Sequence, residues 1–333
     1  MKILYCGVMQ GTSKSRFDGL KALGNEVAYF DYFEQSITSE RWFQRLEKFH
    51  INHLNQRAIN TKLIKKIKNN MPEMLWIDKG TSILKDTLKE IKKINKDLII
   101  IHHCTDDVSL SAHNFKNYLD SLNYYDAHFT CNKYNINELE GISSSKFFYN
   151  ELGYDHNIFK PSNDEKKYDL FFIGHHEPDY EKYVSKLINL NLRFFLGGPG
   201  WQRSELPKSK ISFNNFDEKL YHKVIKQSRA GLGLYSSWNR NITSSRIFEI
   251  PASKAALIVK RNSFIEQLYV EDKEAIFFDN DKELSEKIDF FINQPNILNE
   301  IAENGYKRCL QNKCSWENRI YEAFQDLINS KII

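Results

Sequence analysis

Short apolar runs alternate with helix-period stretches along this chain, and the alternation stops once and starts again. Runs of strand character fall at 2–7, 26–31, 74–78, 98–103, 127–131 and 147–150, then at 169–173, 193–196, 230–235, 256–260 and 275–278. Strands separated by helix-length connections form parallel sheets covered by helices. The break at 153–167, with Pro161, Ser162 and then DEKK, carries little apolar material and reads as a linker. The predicted class is α/β, with two parallel-sheet domains.

Composition agrees with two cores. The chain has 333 residues, 41% apolar and 14% aromatic, which excludes wholesale disorder and suits two domains of ordinary size. A net charge of +4 is too small on this length to imply nucleic acid. Five cysteines, Cys6, Cys104, Cys131, Cys309 and Cys314, are odd in number and lack paired metal-ligand spacing. No apolar run reaches membrane-span length, and the first residues enter a strand pattern directly. The expectation is a cytoplasmic protein with reduced thiols.

The segment NRNITSSRIFEIPASKAALIVK at 239–260 carries the strongest chemical signal. Asn241, Thr243, Ser244 and Ser245 suit a helix N-terminus, where hydroxyls cap the first amides and the remaining N–H groups hold an anion such as a diphosphate. Arg246 and Glu249 are three apart and share one helical face, a cation for phosphate and a carboxylate for a ribose hydroxyl pair. An ordinary capped helix with a surface ion pair would read the same way.

In open parallel sheets ligands sit beyond the C-terminal ends of the strands, so the loops that follow strands carry the chemistry. After the first strand, GVMQGTSKSR offers Gly7 and Gly11 for close backbone approach and Thr12, Ser13 and Ser15 as hydroxyls. Neither GxGxxG nor a Walker lysine loop is present. This loop either caps the next helix or touches substrate. LIIIHHCTDD places His102, His103, Asp106 and Asp107 together; strand alternation sends the histidines to opposite faces, so at most one reaches a cleft. A metal reading of these four is the weaker one, and Asp107 alternatively caps the helix near Ser109. In the second half, Gly174, His175 and His176 end a strand before Pro178, and Gly197, Gly198 and Gly200 let backbone pass near a ligand, while Trp201 fills a core gap.

The pieces FFIGHHEPDY at 171–180, FFLGGPGW at 194–201, TSSRIFEIPASKAALIV at 243–259, EAIFFDNDKELSEKIDFFI at 274–292 and IAENGYKRCL at 301–310 resemble, in order, the glycosyltransferase domain of the CgeB-like (spore maturation protein) family. A weaker match lies in MKILYCGVMQGTSKSR at the start. The resemblance implies the GT-B fold, two Rossmann-like domains facing a cleft, with a C-terminal helix that crosses back to the first. The implied domains are an acceptor domain at 1–155, a nucleotide-sugar donor domain at 165–314 and the returning helix at 315–333. The implied activity is transfer of a sugar from a UDP- or GDP-type donor to an unidentified carbohydrate, lipid-linked or protein acceptor, with no metal needed for catalysis.

The resemblance also assigns roles. Asn215 and Phe216 would meet the nucleotide base; Gly174, His175, Gly198, Thr243, Ser244, Ser245 and Glu249, with Gly11 and Thr12, would line the donor; Arg246 would neutralise the departing diphosphate. On the residues themselves, Asp106 or Asp107 would accept a proton from the acceptor hydroxyl or bind sugar hydroxyls, with His103 orienting a neighbour. Related retaining enzymes carry two glutamates with seven residues between. Glu249 matches the second, but Asn241 stands at the first, so no stereochemical outcome follows. A nucleotide-sugar epimerase of the same architecture and a non-catalytic binding or assembly protein are the alternatives.

Two segments remain. Residues 41–70 interleave Arg41, Arg45, Lys48, Arg57, Lys62, Lys65, Lys66 and Lys68 with apolar residues at helical spacing: either core-facing helices with solvated basic faces or a surface for an anionic membrane or lipid-linked acceptor. At the C-terminus, Ile320, Phe324, Leu327 and Ile328 are placed on one helical face that needs an apolar partner, and the first domain is the expected one.

Overall fold

The structure is a computed structural model, and it describes residues 1–35, 52–110, 115–212, 217–237, 240 and 242–333. The chain divides into two compact units: Met1–Glu151 together with Trp316–Ile333, and Leu152–Ser315.

The first unit is built on a six-stranded sheet in the order β2-β1-β3-β4-β5-β6. Its strands are β1 Lys2–Gly7, β2 Glu26–Asp31, β3 Met74–Asp78, β4 Ile99–Cys104, β5 Ala127–Thr130 and β6 Lys146–Tyr149. All pairings are parallel. The order reverses between β1 and β3, so the loops after these two strands diverge at a topological switch point. Successive side chains point to opposite faces, and both faces are covered. Leu4, Leu75, Ile77 and Ile100 pack on one side. Ile3, Tyr5, Trp76, Ile101 and Phe129 pack on the other, where Ile320, Ala323 and Leu327 of the C-terminal helix Trp316–Asn329 join them.

Thus the chain's last helix completes the core of the first unit, as expected. It lies against the helix Gly11–Ala22, where an added Cβ on Gly19 would meet Ile320 Cγ1 at 3.3 Å. One residue of the expected apolar face is misplaced: Ile328 is exposed and Ala323 holds the buried position. At 100° per residue Ile328 sits about 80° from Ile320, whereas Leu327 returns almost to the same line.

The second unit carries a five-stranded sheet in the order β11-β10-β9-β7-β8. Its strands are β7 Tyr168–Ile173, β8 Phe194–Gly197, β9 Ser228–Gly233, β10 Ala256–Lys260 and β11 Ile276–Phe278, again all parallel. The switch point here lies between β7 and β9. The stretch 153–167, read as a polar linker, is anchored in this unit. Tyr154 N–H donates to Cys314 O at 3.1 Å, and Phe159 is buried against the Tyr221 ring. Two aromatic side chains suffice to fix a segment of polar composition.

Candidate functional site

In the second unit the loops after β7 and β8 are fused. Gly174 N–H donates to Gly197 O at 3.0 Å, His176 N–H to Pro199 O at 2.9 Å, and Trp201 Nε1–H to Gly174 O at 2.9 Å. Gly198 has φ +123°, and a Cβ there would lie 2.1 Å from Gly174 O. Only glycine fits such an approach. Trp201 is fully buried, the core plug expected of it. His176 is tied to the following helix, Pro178–Leu187, through Nε2 and Glu181 Oε2 at 2.6 Å, whereas His175 is exposed at the strand end.

Arg246 opens the helix Arg246–Ala252 and turns its guanidinium across the ends of the two central strands. Nη1 donates to Ile173 O at 3.3 Å, the last carbonyl of β7, and Nη2 to Leu234 O at 3.1 Å, just past β9. The guanidinium carbon lies 5.4 Å from the Phe172 ring centre. Carbonyls satisfy donors but do not cancel a full charge, and Nε is buried with no partner. Ser244 Oγ is also buried and unpartnered. Ser244 and Ser245 do not cap the helix with their hydroxyls as the sequence suggests. Ser245 already has helical angles, φ −55° and ψ −31°, and makes no side-chain cap, while the carbonyls of Ser244 and Ser245 take the Ile247 and Glu249 amides. Thr243 is buried beside them.

Glu249 sits one turn on from Arg246 and is 7% exposed. Its Oε2 accepts from Tyr221 O–H at 2.5 Å. Burial pushes the Glu249 carboxyl up to about 7, although the Tyr221 hydrogen bond and the Arg246 charge pull the other way. Tyr221 projects from the helix Glu218–Lys226, whose first turn is capped by Asp217 Oδ1 accepting from Leu220 N–H at 3.0 Å. A second buried acid, Glu177, pins the strand end after β9: it accepts from Ser236 Oγ at 2.7 Å and from Ser237 N–H at 2.8 Å. Asn215, Phe216 and Asn241 lie outside the described residues.

In the first unit, Gly11 has φ +53° with open space where a Cβ would be, and Thr12 follows it, half-buried, at the start of the helix Gly11–Ala22. His102 and His103 within β4 and Asp106 and Asp107 after it separate in role. Both histidines are buried, within the expectation that at most one reaches a cleft: β4 is an inner strand whose two faces are each covered. His102 Nε2 meets Lys79 O at 3.1 Å and its ring stacks on Tyr118 at 3.8 Å. His103 Nε2 meets Asn150 Oδ1 at 3.1 Å. Asp107 is fully buried and caps the turn, with Oδ1 accepting from Ser109 N–H at 3.1 Å and Asn135 Nδ2 at 2.8 Å. Asp106 alone of the four is accessible, paired with Lys79 Nζ at 2.6 Å.

Of the basic stretch at 41–70, residues 41–51 lie outside the described residues. The rest forms the helix Asn52–Asn70, with Ile59, Leu63 and Ile67 buried and Lys62, Lys65 and Lys66 along a groove of about 690 Å³ beside β2. Among the described residues no three His, Cys, Asp or Glu side chains gather to hold a metal ion, and no helix is long and apolar enough to cross a membrane.

Residues 181–325 match a family described as glycosyl transferase-like. No curated protein matches the chain. Solved structures match its fold end to end. Sucrose-phosphate synthase from Thermosynechococcus elongatus is 11% identical, with a TM-score of 0.68 over 99% of this chain and 100% of that one. Anabaena HepE, solved in complex with UDP and glucose, is 12% identical with a TM-score of 0.68 over 99% and 100%. A glycosyltransferase from Rickettsia africae is 14% identical with a TM-score of 0.63 over 99% and 98%. The fold is therefore that of the GT-B glycosyltransferases.

Proposed function

We propose that the protein is a glycosyltransferase that takes a sugar from a nucleotide-diphosphate donor of UDP or GDP type. The observation that carries this reading is Arg246: a guanidinium at the switch point of the second sheet, held by two carbonyls and retaining its charge and one buried unpartnered N–H. A diphosphate is the anion that such a fork takes, and its charge grows as the sugar leaves. Glu249, on the same face, accepts the ribose hydroxyls, and Ser244 Oγ and the Gly174–Gly198 turn border the phosphates. The glycosyl transferase-like match, residues 181–325, takes in Arg246 and Glu249, and Anabaena HepE, of like fold, was solved with UDP and glucose.

The first unit is assigned the acceptor. Asp106 takes the proton of the acceptor hydroxyl or binds it, because it alone of the acids after β4 is accessible, and Asp107 and His103 hold the loop and strand in place. Charge neutralisation by Arg246 leaves no step that needs a metal ion. The ordered motifs from 171 to 310 support placement in the CgeB-like branch, and five buried cysteine thiols suit a reducing cytoplasm.

The test is turnover of a panel of UDP- and GDP-sugars with and without a cell-extract acceptor pool. Acceptor-dependent release of UDP or GDP is expected, falling about a hundredfold in Arg246→Ala, the size expected for a lost transition-state charge contact. Equal release by that variant, or none from any donor, would overturn the reading; conversion of the donor sugar without acceptor would identify an epimerase instead.

A further inference from the structure

We propose that Tyr221 is a positioning residue of the nucleotide site, whose phenol holds the Glu249 carboxylate ready to receive the ribose hydroxyl pair. The inference rests on the donor reading of Glu249. Its own ground is geometric. The Tyr221 O–H lies 2.5 Å from Glu249 Oε2, and while the carboxylate is ionised the tyrosine is the donor. The phenol cannot wander: Tyr221 is buried, its ring set against Phe159 at 5.9 Å and Phe171 at 6.3 Å. Phe171 belongs to β7 and Tyr221 to a capped helix, so the hydrogen bond ties Glu249 to rigid elements on the far side of its own helix. A ligand that needs two acceptor sites at a fixed angle gains from such support.

The environment gives this bond a second task. Glu249 is a buried acid, and burial alone favours its neutral form, which could accept only one hydroxyl well. The groups that bear on it are Tyr221 and Glu218 from the helix Glu218–Lys226 and Arg246 from its own helix. Cys309, from the helix Pro295–Gln311, gives its thiol to Phe248 O instead. Tyr221 and Arg246 favour the carboxylate and Glu218 opposes it. Removing the phenol oxygen therefore raises the pH at which Glu249 ionises. Affinity that needs the ionised acid is present above that pH and lost below it, so the whole binding profile should move to higher pH.

The experiment is calorimetric titration of UDP and GDP from pH 5.5 to 8.5 into the wild type, Tyr221→Phe and Glu249→Gln. The Glu249→Gln profile carries only the nucleotide's own ionisation, and its difference from the wild type isolates the carboxylate. The wild-type difference curve is expected to bend near pH 7. In Tyr221→Phe the bend should move up by about one pH unit, with affinity returning to within roughly threefold of the wild type at the alkaline end. Loss of a merely structural contact would lower affinity at every pH without moving the bend. If Tyr221→Phe does not fold, 3-fluorotyrosine at position 221 keeps the shape and strengthens the donor, and the bend should then move down. An unmoved bend with a normal Glu249→Gln response overturns the inference alone. A Glu249→Gln variant that binds like the wild type overturns the donor reading beneath it.

Discussion

Arg16 Nη2 lies 2.8 Å from Oδ1 and 2.9 Å from Oδ2 of Asp78, Nε lies 3.1 Å from Oδ1, and both side chains are almost wholly removed from water. The pair joins the first helix to the end of β3, and Arg16 also covers the Trp316 ring at 4.7 Å. Burial by itself would raise the Asp78 carboxyl, but the Arg16 charge holds it well below the usual carboxylate range. His103 Nδ1, at 3.8 Å, is beyond hydrogen-bond reach.

Breaking this pair leaves a buried charge. Asp78→Asn should destabilise the first unit by about 3–5 kcal/mol, seen as faster hydrogen exchange in β1 and β3. The sign of the pH effect follows from a depressed carboxyl. Its contribution is complete above the ordinary aspartate value of about 4 and is lost as pH falls below that value towards the folded one. The wild type should therefore lose protection steeply below about pH 4, while Asp78→Asn changes less over that range.

Gly198→Ala puts a Cβ where Gly174 O stands, at 2.1 Å, on a backbone with φ +123°. The atoms it meets are all backbone of Gly174, with no flexible side-chain end to give way. The variant should lose about 1–3 kcal/mol from strain and displacement of the two loops, measured as a shifted denaturant midpoint for the second unit. A midpoint equal to the wild type's would mean that the loops after β7 and β8 are not fused as described.

Removal of Trp316–Ile333 uncovers the sheet face made by Ile3, Tyr5, Trp76 and Phe129. Hydrogen exchange in the truncated protein should rise across the strands of the first unit. Acceleration confined to residues 165–310 would contradict the packing of the last helix.

Much of the fold was legible because buried parallel strands are short apolar runs, and those are local. The ends came within one or two residues: 98–103 was expected where β4 is Ile99–Cys104, and 230–235 where β9 is Ser228–Gly233. The shared face of Arg246 and Glu249 was local too. What the pattern could not show were partners far apart in sequence. Tyr221 and Glu249 are 28 residues apart, Glu177 and Ser236 are 59, and Arg16 and Asp78 are 62. Each pair joins two elements whose adjacency exists only after the sheet has formed. The one usable signal was an acid at a strand end, which singles out Asp78 as well as Asp106 and Asp107. The paired histidines near the end of β4 have the same chemical look; alternation places them on opposite faces, but only the topology shows that both faces are covered.

The donor site stands or falls on equilibrium binding. UDP and GDP titrated into the wild type, Arg246→Ala and Glu249→Ala at pH 8, well below each protein's melting temperature, should show one nucleotide bound by the wild type and roughly tenfold or greater weakening in each variant, the loss expected for a charge-assisted hydrogen bond. Failure of both nucleotides to bind the wild type, or equal affinity in all three proteins, would contradict the placement of a nucleotide at Arg246 and Glu249.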